Sequence, residues 1–258
     1  MTQLYPSPVF GPVHSRRLGV SLGINLMPAD RKCCSFDCIY CECGYNSDHH
    51  STTKLPTRKQ VNEKLREVLQ DMHANGPKPD VITFAGNGEP TLHPHFPEIV
   101  DDVKKLRDEL FPDCKISVLS NATRIIDDKV FDALLKVDNN ILKLDTVSAD
   151  YIKAVDRPVD KRYNVEAIIE RLKAYGNRCI IQTMFMKGTH EGKDVANISD
   201  DYVNPWIEAL KQIKPSIVMI YTIDRDTPSP LLQKATHEEL DTIAEKVRMT
   251  GLTCQVSY

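Results

Sequence analysis

An α/β fold, a parallel sheet with helices on its outside, is what this sequence predicts, and three observations predict it. Short β-branched apolar runs alternate with longer stretches whose apolar residues recur at helical spacing. Pairing each run with the stretch after it gives six β-then-α units, and strands separated by helices pair in parallel. The 258 residues suit one large α/β domain, with no internal repeat or low-complexity tract. Six units are fewer than a closed (β/α)8 barrel requires, so the count alone fits a partial barrel or a doubly wound sheet. Either architecture puts ligand chemistry at the C-terminal ends of the strands.

The elements follow in order. Residues 18–26 read as a first strand entering a cysteine-rich loop. Thr57 and Gln60 have the spacing of a capping box, and Val61, Leu65, Val68, Leu69 and Met72 then share one helical face. Residues 81–85 make a buried strand by their apolar, β-branched character, followed by a helix bearing Ile99, Val103 and Leu106. Strand 115–119, helix 127–136, strand 141–144, helix 165–174 and strand 179–184 continue the rhythm. A helix with Val203, Trp206, Ile207, Leu210 and Ile213 leads to strand 217–221. Thr236 and Glu239 form a second capping box, ahead of Leu240, Ile243, Ala244 and Val247, and a short strand over 252–256 closes the pattern.

Hydrophobic content of 41% and charged content of 27% are ordinary for a soluble chain that can bury a sizeable core. A net charge of −3 argues against a surface that coats nucleic acid. The charge is uneven: residues 1–60 carry +3 and the remainder −6, with Arg16 and Arg17 adjacent in a segment suited to an anionic group or to solvent. No apolar stretch has the form of a signal peptide or a membrane span. Eight cysteines, five of them within residues 33–43, point to metal binding in a reducing cytoplasm rather than to a secreted disulfide framework.

Within that cluster, Cys34-Ser35-Phe36-Asp37-Cys38-Ile39-Tyr40-Cys41 supplies three thiols from one loop in the spacing C-x3-C-x2-C, with no regular fourth. A closed zinc site or an ordinary four-iron cluster takes four protein ligands, whereas three leave one iron open to a small molecule. Cys33 leaves a second spacing possible, and a zinc knuckle drawn from Cys33, Cys34, Cys38, Cys41, Cys43, His49 and His50 is the competing reading. Cys33 and Cys43 are expected as free thiols, and Cys114, Cys179 and Cys254 as small core residues. Three further segments sit at strand ends. Gly86-Asn87-Gly88-Glu89-Pro90 follows the second strand, where glycines let backbone approach a ligand. Ser120 and Asn121 end the third strand, as ligand contacts or as a helix cap. Lys143 and Asp145 flank Leu144 on one face of the fourth, either to clamp a ligand or to pair with each other. Gln182, Met184, Tyr221, Asp224 and Arg225 are weaker candidates, and Asp156-Arg157-Pro158 is a suggestive loop.

The cysteine spacing with Tyr40 before the last cysteine resembles the signature of the radical S-adenosylmethionine (SAM) superfamily. Gly86 to Pro90 is similar to that superfamily's Gly-Gly-Glu-Pro segment, whose backbone carbonyls receive the SAM amino group, with Asn87 interrupting the glycines. The resemblance implies a partial (β/α)6 barrel, a single domain over residues 1–258, and a [4Fe–4S] cluster on Cys34, Cys38 and Cys41. It also implies that SAM chelates the fourth iron, and that electron transfer into its C–S bond yields methionine and a hydrogen-abstracting 5′-deoxyadenosyl radical. Tyr40 would then lie near the cluster or the adenine. Gly86, Asn87, Gly88, Glu89, Ser120, Asn121, Lys143 and Asp145 would line the SAM site, with Glu89 either meeting the amine or bracing its turn. Flavodoxin or ferredoxin is the implied electron donor.

Segments such as Ser15-Arg16-Arg17-Leu18-Gly19, Phe36 to Cys41, Gly88 to Leu92, Lys143-Leu144-Asp145 and Ile223-Asp224-Arg225 resemble a wyosine-synthase-like branch, over residues 10–250. Two departures point away from wyosine synthesis itself: no cysteine precedes Cys33, and no additional basic tRNA-binding insertion is evident. The expectation is a compact one-cluster enzyme. A tRNA base, a glycyl-radical protein, and a small molecule or peptide remain open as substrates, and a non-catalytic zinc protein is the rival of a different class.

Overall fold

The computed structural model describes residues 3–15, 19–48 and 52–258, and it settles how the units wind. In chain order these are β1 (Val9–Ser15), β2 (Gly19–Ile24), α1 (Arg58–Asn75), β3 (Val81–Phe84) and α2 (Phe96–Leu110). Next come β4 (Lys115–Ser120), α3 (Asp128–Leu134), β5 (Asn139–Lys143), the single turn α4 (Ala149–Tyr151) and α5 (Val165–Tyr175). The chain continues through β6 (Ile180–Met184), β7 (Met186–His190), β8 (Lys193–Asp194) and α6 (Asp200–Ile213). It ends with β9 (Ile217–Tyr221), β10 (Leu232–Lys234), α7 (His237–Arg248) and β11 (Cys254–Ser257).

The main sheet has the order β1-β2-β3-β4-β5-β6-β9-β11. Every pair from β2 to β11 is parallel, and only β1 runs antiparallel, against β2. Each crossover therefore steps in the same direction along the sheet. A doubly wound sheet reverses direction at a switch point, and no reversal occurs here. The winding is that of a partial barrel with six β-then-α units, and β11 follows as an additional parallel strand. A second sheet, β10-β7-β8, is built from the chain after β6 and β9.

Alternation along the strands separates two faces. Leu22, Ile24, Ile82, Phe84, Ile116, Val118, Leu142, Ile181, Val218 and Ile220 pack outward in one core with the apolar stripes of the helices. Leu119, Ile141, Ile180, Ile217 and Met219 form a separate inward cluster. Each large apolar side chain buried this way contributes about 1.5–3 kcal/mol. Both expected capping boxes form: Gln60 N donates to Thr57 Oγ1 at 3.2 Å, and Glu239 N to Thr236 Oγ1 at 3.2 Å. Cys114, Cys179 and Cys254 are buried, as small core residues.

The differences from expectation have local causes. Asp127 caps α3 rather than joining it, its carboxylate accepting from Lys129 N at 3.0 Å, so the helix expected over 127–136 is shorter. β5 begins at Asn139, two polar residues ahead of the apolar run. β1, β7, β8 and β10 were not expected, because glycine, proline and polar residues mask their patterns. Leu18, the first residue of the expected opening strand, lies outside the described residues. Among the described residues no helix is long and apolar enough to cross a membrane.

Candidate functional site

The loop after β2 is fastened at both ends to neighbouring strands. Cys33 pairs in parallel with Gly88 beyond β3: Cys33 N donates to Asn87 O at 2.8 Å, and Glu89 N to Cys33 O at 3.1 Å. Gly88 is required there, because its φ is +135° and a Cβ would stand 1.9 Å from the Cys33 carbonyl oxygen. On the other side, Asp37 N donates to Asp156 O at 2.9 Å and Ile39 N to Val155 O at 3.0 Å, binding the loop to the turn Ile152–Asp156 after β5. Asn46 buckles the middle: its Oδ1 accepts from Cys34 N at 3.1 Å while its Nδ2 donates to the carbonyls of Cys34 and Phe36.

These restraints set three thiols in three different environments, all free of disulfides. Asn121 Nδ2 donates to Cys34 Sγ at 3.4 Å. Burial and then the Glu89 carboxylate push the Cys34 thiol up to about 12. Cys38 Sγ lies 3.7 Å from Asp156 Oδ1, and burial raises its thiol further. Cys41 is shifted the other way, first by a hydrogen bond from Cys43 and then, against burial, by the Lys32 ammonium. Cys43 is buried and raised, its Sγ 3.5 Å from Gly86 O.

The donor chemistry of this loop suits an iron–sulfur cluster. Thiolate is the ligand such clusters take, and three come from one restrained segment. Among the described residues no group of three His, Cys, Asp or Glu side chains converges on a single point. His49 and His50, named for the zinc alternative, lie outside the described residues, as do Arg16 and Arg17.

The Gly86–Pro90 segment divides its work. Gly86 has φ +122°, and a Cβ there would meet the Asn25 side chain at 2.7 Å. The Asn87 amide faces the N-terminal segment, with Nδ2 on Tyr5 O at 2.9 Å and Pro28 O at 2.8 Å, and Oδ1 accepting from Tyr5 N at 2.7 Å. That side chain is engaged on both ends, so what Asn87 offers the loop is its backbone carbonyl. Glu89 is 2% exposed and saturated with donors. Its Oε1 accepts from Thr91 N at 3.0 Å, Thr91 Oγ1 at 2.6 Å and Ser120 Oγ at 2.9 Å, and its Oε2 accepts from Asn121 N at 2.6 Å. Burial raises the Glu89 carboxyl and these hydrogen bonds oppose the rise. It thereby ties the end of β3 to the end of β4, and carries Asn121 to Cys34. Glu89→Gln turns an acceptor into a donor opposite another donor and is expected to destabilise the protein by about 3 kcal/mol, read as a lower urea midpoint.

Lys143 and Asp145 do share a face, and they pair. Lys143 Nζ contacts Asp145, the Tyr40 hydroxyl and, at 2.8 Å, Asp156 Oδ1. Tyr40 also donates to Asp145, whose Oδ1 accepts from Met184 N at 3.0 Å. Burial would lower the Lys143 ammonium, but Asp145 and Asp156 outweigh it and leave it well raised. Gln182 lies beside Lys143 in register on β6. Arg225 stands apart, donating to Glu42, Tyr5 Oη at 2.7 Å and Gln3 Oε1 at 2.9 Å. Asp224 pairs with Lys234 at 3.6 Å.

Lys32 and Asn46 were missed by sequence reading, and Asp156 was noted only as part of a loop. Lys32 and Asn46 are single polar residues beside cysteines with no motif of their own. Asp156 reaches the site through a turn that no periodicity marks.

Comparison with known proteins places this geometry among relatives. A family model described as the radical SAM superfamily matches residues 32–202. A UPF0026 protein of Helicobacter pylori is 32% identical over 222 residues, covering 84% of this chain and 66% of its own length. A UPF0026 protein of Synechocystis is 30% identical, covering 88% and 79%. A protein named GTPase Obg from Brachyspira hyodysenteriae is 31% identical over 90% of this chain, which spans only 32% of that protein. The chain thus spans between a third and four-fifths of these relatives. Among solved structures, a radical SAM methyltransferase from Sphaerobacter thermophilus superposes with TM-score 0.68 at 16% identity, covering 92% of this chain and 66% of that one. TYW1 with a lysine-pyruvate adduct bound superposes with TM-score 0.60 at 16% identity, covering 89% and 73%. At those identities the likeness is one of fold.

Proposed function

The chain belongs to the radical SAM superfamily, and from that membership we propose that Cys34, Cys38 and Cys41 hold a [4Fe–4S] cluster whose remaining iron takes SAM. It is a radical SAM enzyme, and the reading adds hydrogen abstraction from a substrate to that general activity. Those three thiolates would hold a cluster that, once reduced by an external electron donor, would supply the one electron needed to cleave SAM into methionine and a 5′-deoxyadenosyl radical. The observation that carries the reading is the Cys33–Gly88 pairing, which sets the three-thiol loop against the glycine segment at the C-terminal edge of the parallel strands.

The chain's own residues have distinct tasks in this reading. Gly88 keeps backbone rather than side chain beside the cysteine loop, and Gly86 does so beside Asn25, so this segment is assigned to receive an amino group through its carbonyls. Ser120 and Asn121, ordered by Glu89, place an amide on Cys34 and offer polar edges beside it. Lys143 has three oxygen partners and is held protonated by two carboxylates. That favours a fixed cation over an amine that attacks carbonyls, since attack requires the neutral form. Lys143 and Asp145 are therefore assigned to hold Tyr40 in place next to Cys41, and the domain of residues 1–258 acts as one scaffold for this site.

Anaerobically reconstituted protein given dithionite and SAM is expected to release 5′-deoxyadenosine and to contain about four iron and four sulfide per chain. Iron-loaded protein that leaves SAM intact, or a chain that binds one zinc, would reject the proposal.

A further inference from the structure

Among the described residues Lys32 is the least exposed lysine, at 3% exposure, with its side chain 1% exposed. Its ammonium donates to Gly44 O at 2.9 Å and stands 3.5 Å from Asp37 Oδ1. Gly44 N in turn donates to Cys41 O at 2.9 Å, so the ammonium of Lys32, two residues before Cys34 in the chain, sits on the turn that carries Cys41. Burying an ammonium is expensive unless an anion meets it. Asp37 is a shared and distant partner: it also pairs with Arg157 at 3.7 Å, and its Oδ1 accepts from Asn46 N at 2.7 Å. Lys32 and Arg157 together carry two positive charges against one carboxylate. The surplus positive charge lies inside the loop, on the side of the cysteines.

We propose that Lys32 is a built-in counter-cation for the metal group held by Cys34, Cys38 and Cys41, and that it sets the reduction potential of that group upward. The inference rests on the cluster reading above. Hydrogen bonds to ligand sulfurs and nearby net charge are among the determinants of iron–sulfur potentials. Reduction adds one negative charge to the cluster. A fixed cation beside the ligand loop stabilises that more negative state over the oxidised one, and low dielectric around a buried ammonium strengthens the effect. Cys38 faces the Asp156 carboxylate instead, where Asp145 and Asp156 share the single Lys143 ammonium, so the positive side of the loop is the one that Lys32 occupies.

The test compares reconstituted wild type with Lys32→Met, Lys32→Arg and Asp37→Asn, reading iron and sulfide content and the midpoint potential by EPR-monitored titration. Lys32→Met is expected to lower the midpoint by at least the tenfold change in reduction equilibrium that corresponds to about 59 mV for one electron. Lys32→Arg, which keeps the charge, should remain near wild type. Asp37→Asn keeps the acceptor for Asn46 but removes the negative charge, so its midpoint should rise. An unchanged potential in loaded Lys32→Met overturns the proposal. If Lys32→Met loads no iron, Asp37→Asn decides alone: a rise supports the counter-cation, and no change or a fall overturns it. Wild type that binds zinc in place of iron overturns both this inference and the cluster reading, whereas iron-loaded wild type with potentials indifferent to these charges overturns this inference only.

Discussion

Alanine in place of Cys34, Cys38 or Cys41 is expected to bring the iron of the reconstituted protein from about four per chain to near zero and to abolish SAM cleavage, with the fold retained. The reason the fold should survive is that the loop does not depend on metal for its course. Cys33 holds it to Asn87 and Glu89 through backbone hydrogen bonds, Asp37 and Ile39 hold it to the turn after β5, and Asn46 braces it from within. Removing one sulfur takes away a donor and leaves those restraints standing. Cys33→Ala should keep its iron, because Cys33 works through its backbone. Cys43→Ala is the informative control: its thiol, two residues from Cys41, donates to the Gly86 carbonyl at 3.5 Å, and its loss should leave the iron in place. Iron content with far-ultraviolet dichroism on each variant checks this. Loss of iron in Cys43→Ala would make Cys43 a fourth ligand and close the position that SAM needs.

Much of this site was legible in the sequence because its parts are local. The three cysteines fall within one short loop, Lys143 and Asp145 are two residues apart on a strand, and both capping boxes are read from four consecutive residues. Parallel strands then bring every such segment to the same edge of the sheet, so the placement of Gly86–Glu89, Ser120–Asn121 and Lys143–Asp145 followed from their position after apolar runs. What stayed hidden depends on tertiary partners. Glu89 reads equally well as a ligand or as a brace until Ser120 and Asn121 arrive from another strand to saturate it. Asn87 looks like part of a cofactor loop until the N-terminal segment turns back and binds both ends of its amide. The choice between a partial barrel and a doubly wound sheet needed the strand order, which periodicity along a single chain does not contain. Lys32 shows the same limit at one residue: a lysine beside cysteines reads as surface charge, and only burial turns it into part of the site.

Gly88→Ala is expected to be as damaging as loss of a cysteine, by a different route. Two penalties coincide at this position. The φ of +135° is strained for any residue with a side chain, and the added methyl would lie 1.9 Å from the Cys33 carbonyl oxygen, far inside contact distance. That oxygen is backbone and accepts from Glu89 N, so it has no flexible end to swing aside. Relief requires the cysteine loop to move off the end of β3, which breaks the hydrogen bonds from Cys33 N to Asn87 O and from Glu89 N to Cys33 O together. We expect a stability loss of about 3 kcal/mol or more in urea denaturation, together with iron loading well below wild type even though all three ligand thiols are present. Gly76→Ala supplies the comparison: Gly76 also has a positive φ, +70°, but nothing beyond its own chain neighbours lies within 4 Å of the position its Cβ would take. Backbone strain alone should therefore cost that variant some stability and leave its iron unaffected. Equal iron in Gly88→Ala and Gly76→Ala would show that the loop is positioned by something other than its seam with the glycine segment.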